Sequence, residues 1–158
     1  MKKTHILLTF GIFSILFFAG CGPDFNTDFD PPPPDGKLED IFPAAIGDMP
    51  VKLSRAKLQP PLMGFSGIYG ENNVVINSIR LPDKTSADDY FKGAIVPNFD
   101  KMKNHFRGQI NGKWRASGTD ETNRKWFGWV NNNWVFIINA TDNKYFKMAI
   151  NAFKYIEE

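Results

Sequence analysis

Thiol chemistry is almost absent from this 158-residue chain, whose single cysteine is Cys21. That excludes an intrachain disulfide and any zinc site built from paired cysteines, so the fold must rest on packing. Histidine is nearly as scarce: His5 lies in an apolar leader, which leaves His105 alone, and a lone histidine makes no metal site. Near the end of the helix expected around it, a positive side chain suits the helix dipole, a structural role. Excess charge is missing too. The chain has 19 basic and 17 acidic residues, but Lys2 and Lys3 belong to the leader, leaving 17 of each sign. A neutral body lacks the positive stripe that nucleic-acid binding needs. No Gly-rich phosphate loop is present, and Gly64-Phe65-Ser66-Gly67-Ile68 lacks the glycine two places after the serine that a hydrolase elbow requires. The sequence implies no metal and no cofactor.

What is present begins with an address. Lys2 and Lys3 precede an apolar run of 13 residues, Ile6 to Phe18, closed by the small Ala19 and Gly20. This is the pattern of a secretory signal, and it is short of the roughly 20 residues a spanning helix needs. Phe18-Ala19-Gly20-Cys21 resembles the lipobox of bacterial lipoproteins, with Phe18 where leucine is usual. The resemblance implies a diacylglyceryl thioether on Cys21, cleavage before it, and acylation of the new amino terminus. Cys21 is then no free nucleophile, and the protein's first partner is the membrane. A single acyl chain binds marginally at about 0.8 kcal/mol per buried methylene, whereas two or three hold in effect permanently. The address is the cell envelope. Gly22, in place of aspartate, resembles the pattern sent to the outer membrane of Gram-negative cells.

Residues 22–37 read GPDFNTDFDPPPPDGK and offer little to bury. Extended as polyproline II, such a segment spans up to roughly 50 Å. The expected organisation is therefore a signal peptide at 1–20, a lipidated cysteine and Pro/Asp-rich tether at 21–37, and one domain at 38–158. A domain of that size buries on the order of two-thirds of its unfolded surface.

Within the domain, Val51 to Leu58 reads as a strand stopped by Gln59-Pro60-Pro61, and Phe65 to Tyr69 with Val74 to Leu81 as a hairpin about Gly70-Glu71-Asn72-Asn73. Thr85 to Asp89 supplies a cap and an acidic first turn. Phe91, Ile95, Phe99, Met102 and Phe106 then recur at helical spacing, with a kink or break expected near Pro97. Gln109 to Ser117, interrupted by Asn111-Gly112, reads as strand. Trp126 to Val130 and Trp134 to Ala140 form a hairpin about Asn131-Asn132-Asn133. Thr141 or Asp142 caps a closing helix whose buried stripe is Phe146, Ala149, Ile150 and Phe153. Tyr90 to Ile95 matches Tyr145 to Ile150 at five of six places, each expected at a helix start, which suggests an internal duplication. The expected fold is α+β: an antiparallel sheet with two helices packed on one face, built from two strand-strand-helix units.

Two sets of residues carry candidate chemistry. Trp114, Trp126, Trp129 and Trp134 fall within 21 residues, with Arg115 and the three asparagines close by. Where exposed, they would stack on sugar rings or grip a protein; the plainer alternative packs them under the helices. Asp88 with Asp89, and Asp120 with Glu121, are paired carboxylates of the kind glycoside hydrolysis uses, though a helix start and a polar turn account for them as well. Three functions remain open: a non-catalytic binding or interaction module for an envelope protein or glycan, a small envelope hydrolase, and an assembly or inhibitor lipoprotein of a larger complex. Oligomeric state is not legible.

Overall fold

A computed structural model describes residues 24–33, 37–56 and 62–158. Cys21 and the leader lie outside them, as do 57–61, where the first strand was expected to stop. Eight strands form one sheet, antiparallel at every pairing. They are β1 (Ala45–Ile46), β2 (Met49–Arg55), β3 (Met63–Tyr69), β4 (Val74–Arg80), β5 (Lys103–Ile110), β6 (Lys113–Thr119), β7 (Lys125–Asn131) and β8 (Trp134–Ala140). Their order is β1-β2-β3-β4-β8-β7-β6-β5, so the two halves meet along β4 and β8. Asparagine and glycine make the turns, as expected at 70–73 and 131–133, and Asn111-Gly112, expected only to interrupt a strand over 109–117, is a full turn between β5 and β6. Asn72, Asn111 and Asn132 adopt positive φ, as do Gly70 and Gly112. Asn111 and Gly112, at φ 52° and 73°, fit the tight type I′ geometry that matches strand twist.

The first helical element runs 84–99 and comprises α1 (Lys84–Tyr90), a π turn (Phe91–Ile95) and α2 (Val96–Phe99). Pro97 explains the irregularity: its ring cannot share a turn with the carbonyl four residues back, and it has no N–H to give. Val96 N–H reaches back five residues to the Phe91 carbonyl instead. Asp83 caps α1, accepting from Ser86 N–H at 2.7 Å, two residues before the expected start. Asp142 caps α3 (Asn143–Ala152) through Tyr145 N–H at 2.9 Å. Asp83→Ala and Asp142→Ala should each lose about 1 kcal/mol in urea unfolding.

Three expectations are corrected. First, Phe106 and His105 are not helical; they lie on β5, where Asn104 at φ 49° and a register shift between Lys103 and Phe106 bend the strand. His105 is exposed, its Nδ1 2.9 Å from the Met102 carbonyl. Second, the helices pack on opposite faces. Trp134, Phe136, Ile138 and Ala140 of β8 share a core with Ala149, Ile150 and Phe153, whereas Val135 and Ile137 meet Ala87, Phe91, Ile95 and Phe99. Alternation along a strand sends neighbours to opposite sides, and β8 is buried at all seven positions. The connections differ by one residue: Leu81-Pro82 precedes cap Asp83, but Thr141 alone precedes cap Asp142. One residue reverses the face in an extended chain. The sheet order is symmetric about β4 and β8, but the helices do not follow it. Tyr90 stands seven residues after its cap and Tyr145 three after its own, so the six-residue match does not fall at equivalent places.

Third, part of the expected tether is built into the body. Residues 24–33 lie as a strap across the α3 face. Asn26 and Glu157 exchange backbone hydrogen bonds at 2.9 Å, and Phe25 packs edge-on against Phe127 with ring centres 5.0 Å apart. Thr27 and Pro32 are buried.

Candidate functional site

The four tryptophans divide by face and by exposure. Trp129 and Trp134 are 0% and 1% exposed, inside an aromatic cluster under α3. Trp129 lies 5.6, 5.2 and 6.0 Å from the rings of Phe127, Phe136 and Phe153, and Trp134 stacks on Phe136 at 6.0 Å. Neither offers surface to a ligand. Arg115 is also withdrawn, at 3% exposure, and donates at 2.7 Å to the Phe25 carbonyl of the strap. Trp114 and Trp126 are half-buried on the other face, against the core of the first helix. They do not form one patch. Trp126 sits opposite Gly118, four residues along β6 from Trp114, about 13 Å away.

Trp126 is the member with a built environment. Its indole N–H donates to Asp120 Oδ2 at 2.8 Å. The other oxygen, Oδ1, accepts from Thr122 N–H at 2.9 Å, Thr122 Oγ1 at 2.7 Å and Arg124 N–H at 3.0 Å. This knots the β6–β7 turn and fixes the ring. Two adjoining clefts flank it, one of about 300 Å³ lined by Ile95, Asn98, Phe99, Met102, Trp126 and Ile137. The second, of about 370 Å³, shares Asn98 and Met102 and reaches Asp120 and Glu121. Sequence reasoning missed the groove's apolar floor because helix and sheet meet there only in three dimensions. The Asp-x-Thr spacing ahead of Trp126 was a readable turn signal.

From Trp126 a row crosses the sheet on the same face, through Asn139, Val75 and Ile68 to Lys52. The next row holds Ile137, Asn77, Ser66 and Ser54. The first helical element packs over β5 to β8 and draws Ile79 of β4 into its core, while Val75 and Asn77 of β4 are half-buried and Lys52 and Ser54 of β2 are exposed on this side. Ser66 donates to Asn77 Oδ1 at 2.6 Å, and Arg124 donates to Asn139 Oδ1 at 2.6 Å and to the Asn72 carbonyl at 2.8 Å. Asn139 is buried beneath Arg124, and the half-wet part of the strip is Asn77, Ser66, Val75 and Ile68, with an oriented indole at one end.

The carboxylates are engaged or apart. Asp88 pairs with Lys84 at 2.7 Å and Asp89 with Lys92 at 2.8 Å, both along the helix. At Asp120, burial pushes the carboxyl up, but the hydrogen bonds from Thr122, Trp126 and Arg124 outweigh it and hold the group below the ordinary carboxylate range. Its contribution to stability is therefore complete above the unfolded carboxylate value and is lost as pH falls through the lowered one. Asp120→Asn should flatten that acid limb, read from the Trp126 indole resonance across an acid titration. Among the described residues no group of three or more His, Cys, Asp or Glu is placed to hold a metal ion.

No protein-family model matches the sequence, and no curated protein is similar to it. A solved structure similar in chain path is the crystal structure of a GTP binding regulator from Thermotoga maritima. It is 10% identical, with a TM-score of 0.48, over 70% of this chain and 82% of the other. A likeness at that level carries no inference about this chain.

Proposed function

We propose that the chain is a lipid-anchored protein of the cell envelope whose domain is a non-catalytic binding module, and that its contact surface is the open half of the sheet running into the Trp126 groove. The observation that carries the surface is the oriented Trp126 indole together with the half-buried Asn77, Ser66, Val75 and Ile68 on the same face. An oriented indole beside hydrogen-bonding amides and modest apolar area is a combination that serves sugar rings and protein side chains alike. The anchor rests on the sequence: the positive start, the apolar run and the Ala19-Gly20-Cys21 junction. The engagement of Asp88, Asp89 and Asp120 favours binding over hydrolysis.

Collisional quenching of single-tryptophan variants tests the surface directly. Acrylamide should quench Trp126 and Trp114 and leave Trp129 and Trp134 nearly untouched; a Trp126 as protected as Trp129 would remove the proposed groove. A photo-crosslinker at Asn77, used in intact membranes with mass spectrometry, should capture an envelope protein or a glycan more strongly than one at exposed Lys154. Equal capture at both sites would count against the strip. Alanine at Asp88, Asp89, Asp120 and Glu121 together separates the hydrolase reading, because a stable quadruple variant with unchanged phenotype leaves that reading no residues.

A further inference from the structure

The strap changes what the tether can do. Read as free chain, residues 22–37 allow the domain to stand roughly 50 Å from the bilayer. In the structure that slack is taken up, because residues 24–33 are fastened along the sheet from end to end. At its start, Asn26 and Glu157 exchange backbone hydrogen bonds and Arg115 holds the Phe25 carbonyl. In the middle Lys113 meets Asp28 at 2.6 Å, and further on Asn131 Nδ2 donates to the Phe29 carbonyl at 2.8 Å. Phe25 lies between the rings of Phe127 and Phe146, 5.0 and 6.0 Å away. The strap also shields Arg115, whose Nε has no hydrogen-bond partner among the described residues, so undocking would strip cover from a guanidinium otherwise sunk in the sheet.

Between Cys21 and Asp24 there are three peptide steps, which at full extension cover no more than about 11 Å. We propose that the docked strap holds the domain directly on the bilayer that carries Cys21, with the edge formed by Phe25, Asn104, Asn143 and Lys147 turned to the lipid headgroups. This rests on the lipoprotein reading above. Those four residues line one cleft of about 280 Å³ beside Phe25, together with Lys125, Glu158 and one side of Trp126. Lys147 pairs with Glu158 at 3.2 Å, so the edge is close to neutral and proximity comes from the short leash rather than from attraction to anionic lipid. The strip then starts beside that edge at Trp126 and runs away from it across the sheet, so that its far end at Lys52 is free to meet a partner.

Energy transfer to the bilayer tests the height. With Cys21 acylated, an introduced cysteine is the sole free thiol, so Asn143→Cys and Ser54→Cys can each carry a donor dye on the full lipidated chain. Vesicles of phosphatidylethanolamine and phosphatidylglycerol carry acceptor on the headgroups. Asn143 lines the same cleft as Ser117 to Thr119 of β6, and Ser54 on β2 lies five strand spacings from β6, about 24 Å, so transfer from residue 143 should be roughly twofold or more higher than from residue 54. Raising salt should not change it. Phe25→Ser with Asn131→Ala frees the strap and should lower transfer from both sites. Equal, weak transfer from both dyes in vesicle-bound wild-type protein overturns the proposal and leaves the anchor intact. A Cys21→Ala chain that still floats with vesicles overturns the lipoprotein reading itself.

Discussion

Trp129→Ala is expected to remove about 3–5 kcal/mol of folding stability, the range for truncating a fully buried aromatic. The ring is wholly enclosed and touches Phe127, Phe136 and Phe153 at once, so its loss leaves a void that three other aromatics cannot close without leaving their own contacts. Domains of this kind are stable by about 5–15 kcal/mol, so the variant should be marginal or unfolded at 37 °C. Trp129→Phe provides the contrast. The indole Nε1 is buried without a hydrogen-bond partner among the described residues, so phenylalanine retains much of the packing and relieves an unpaired donor. Its loss should be under half that of alanine. Urea unfolding, with the m-value held constant between variants, measures both; equal losses would show that the unpaired N–H is irrelevant.

The second large effect is on location. Cys21→Ala should move the protein from the membrane fraction to the soluble exported fraction and abolish incorporation of radiolabelled palmitate. Two or three acyl chains would hold in effect permanently, whereas the charge beyond residue 20 is balanced and, among the described residues, no helix is long and apolar enough to cross a membrane. Labelled palmitate that fails to enter the wild-type chain would refute the anchor outright.

How much of this was legible in the sequence depends on the range of the interaction. The hairpins at Gly70–Asn73 and Asn131–Asn133 were readable because turn geometry is local and only some residues tolerate positive φ; Asn111-Gly112, expected only to interrupt one strand, is a third hairpin turn, because the strand before it lay inside the expected helix. The stripe of α3 was readable for the same reason: Ala149, Ile150 and Phe153 are buried as their spacing requires, and Phe146, expected with them, is half-buried against Phe25. β5 was misread because Phe99, Met102 and Phe106 keep helical spacing across a helix end that α2 reaches at Phe99. Strand pairing with β6, which no local pattern reports, decided the matter. The opposite-faced helices had a visible signal that went unused: Trp134 to Ala140 is apolar at nearly every position, the mark of a strand covered on both sides. Its partner sign, the one-residue difference between the two strand-to-helix links, was present as well. The strap was hidden because Phe25 and Phe29 sit among aspartates and prolines, and composition gives no hint that Phe127 waits for one of them. Of the proposed binding residues, Trp126 was named in advance, but which tryptophans would stay wet followed only from register.

The position of β8 sets a timetable for assembly. The seam of the sheet is made by β8 pairing with β4 on one side and β7 on the other, so neither half acquires its inner neighbour before residues 134–140 are available. A chain that emerges amino end first therefore stays open until that strand is out. Its exposed strand edges are then a chaperone's concern until the chain is almost complete.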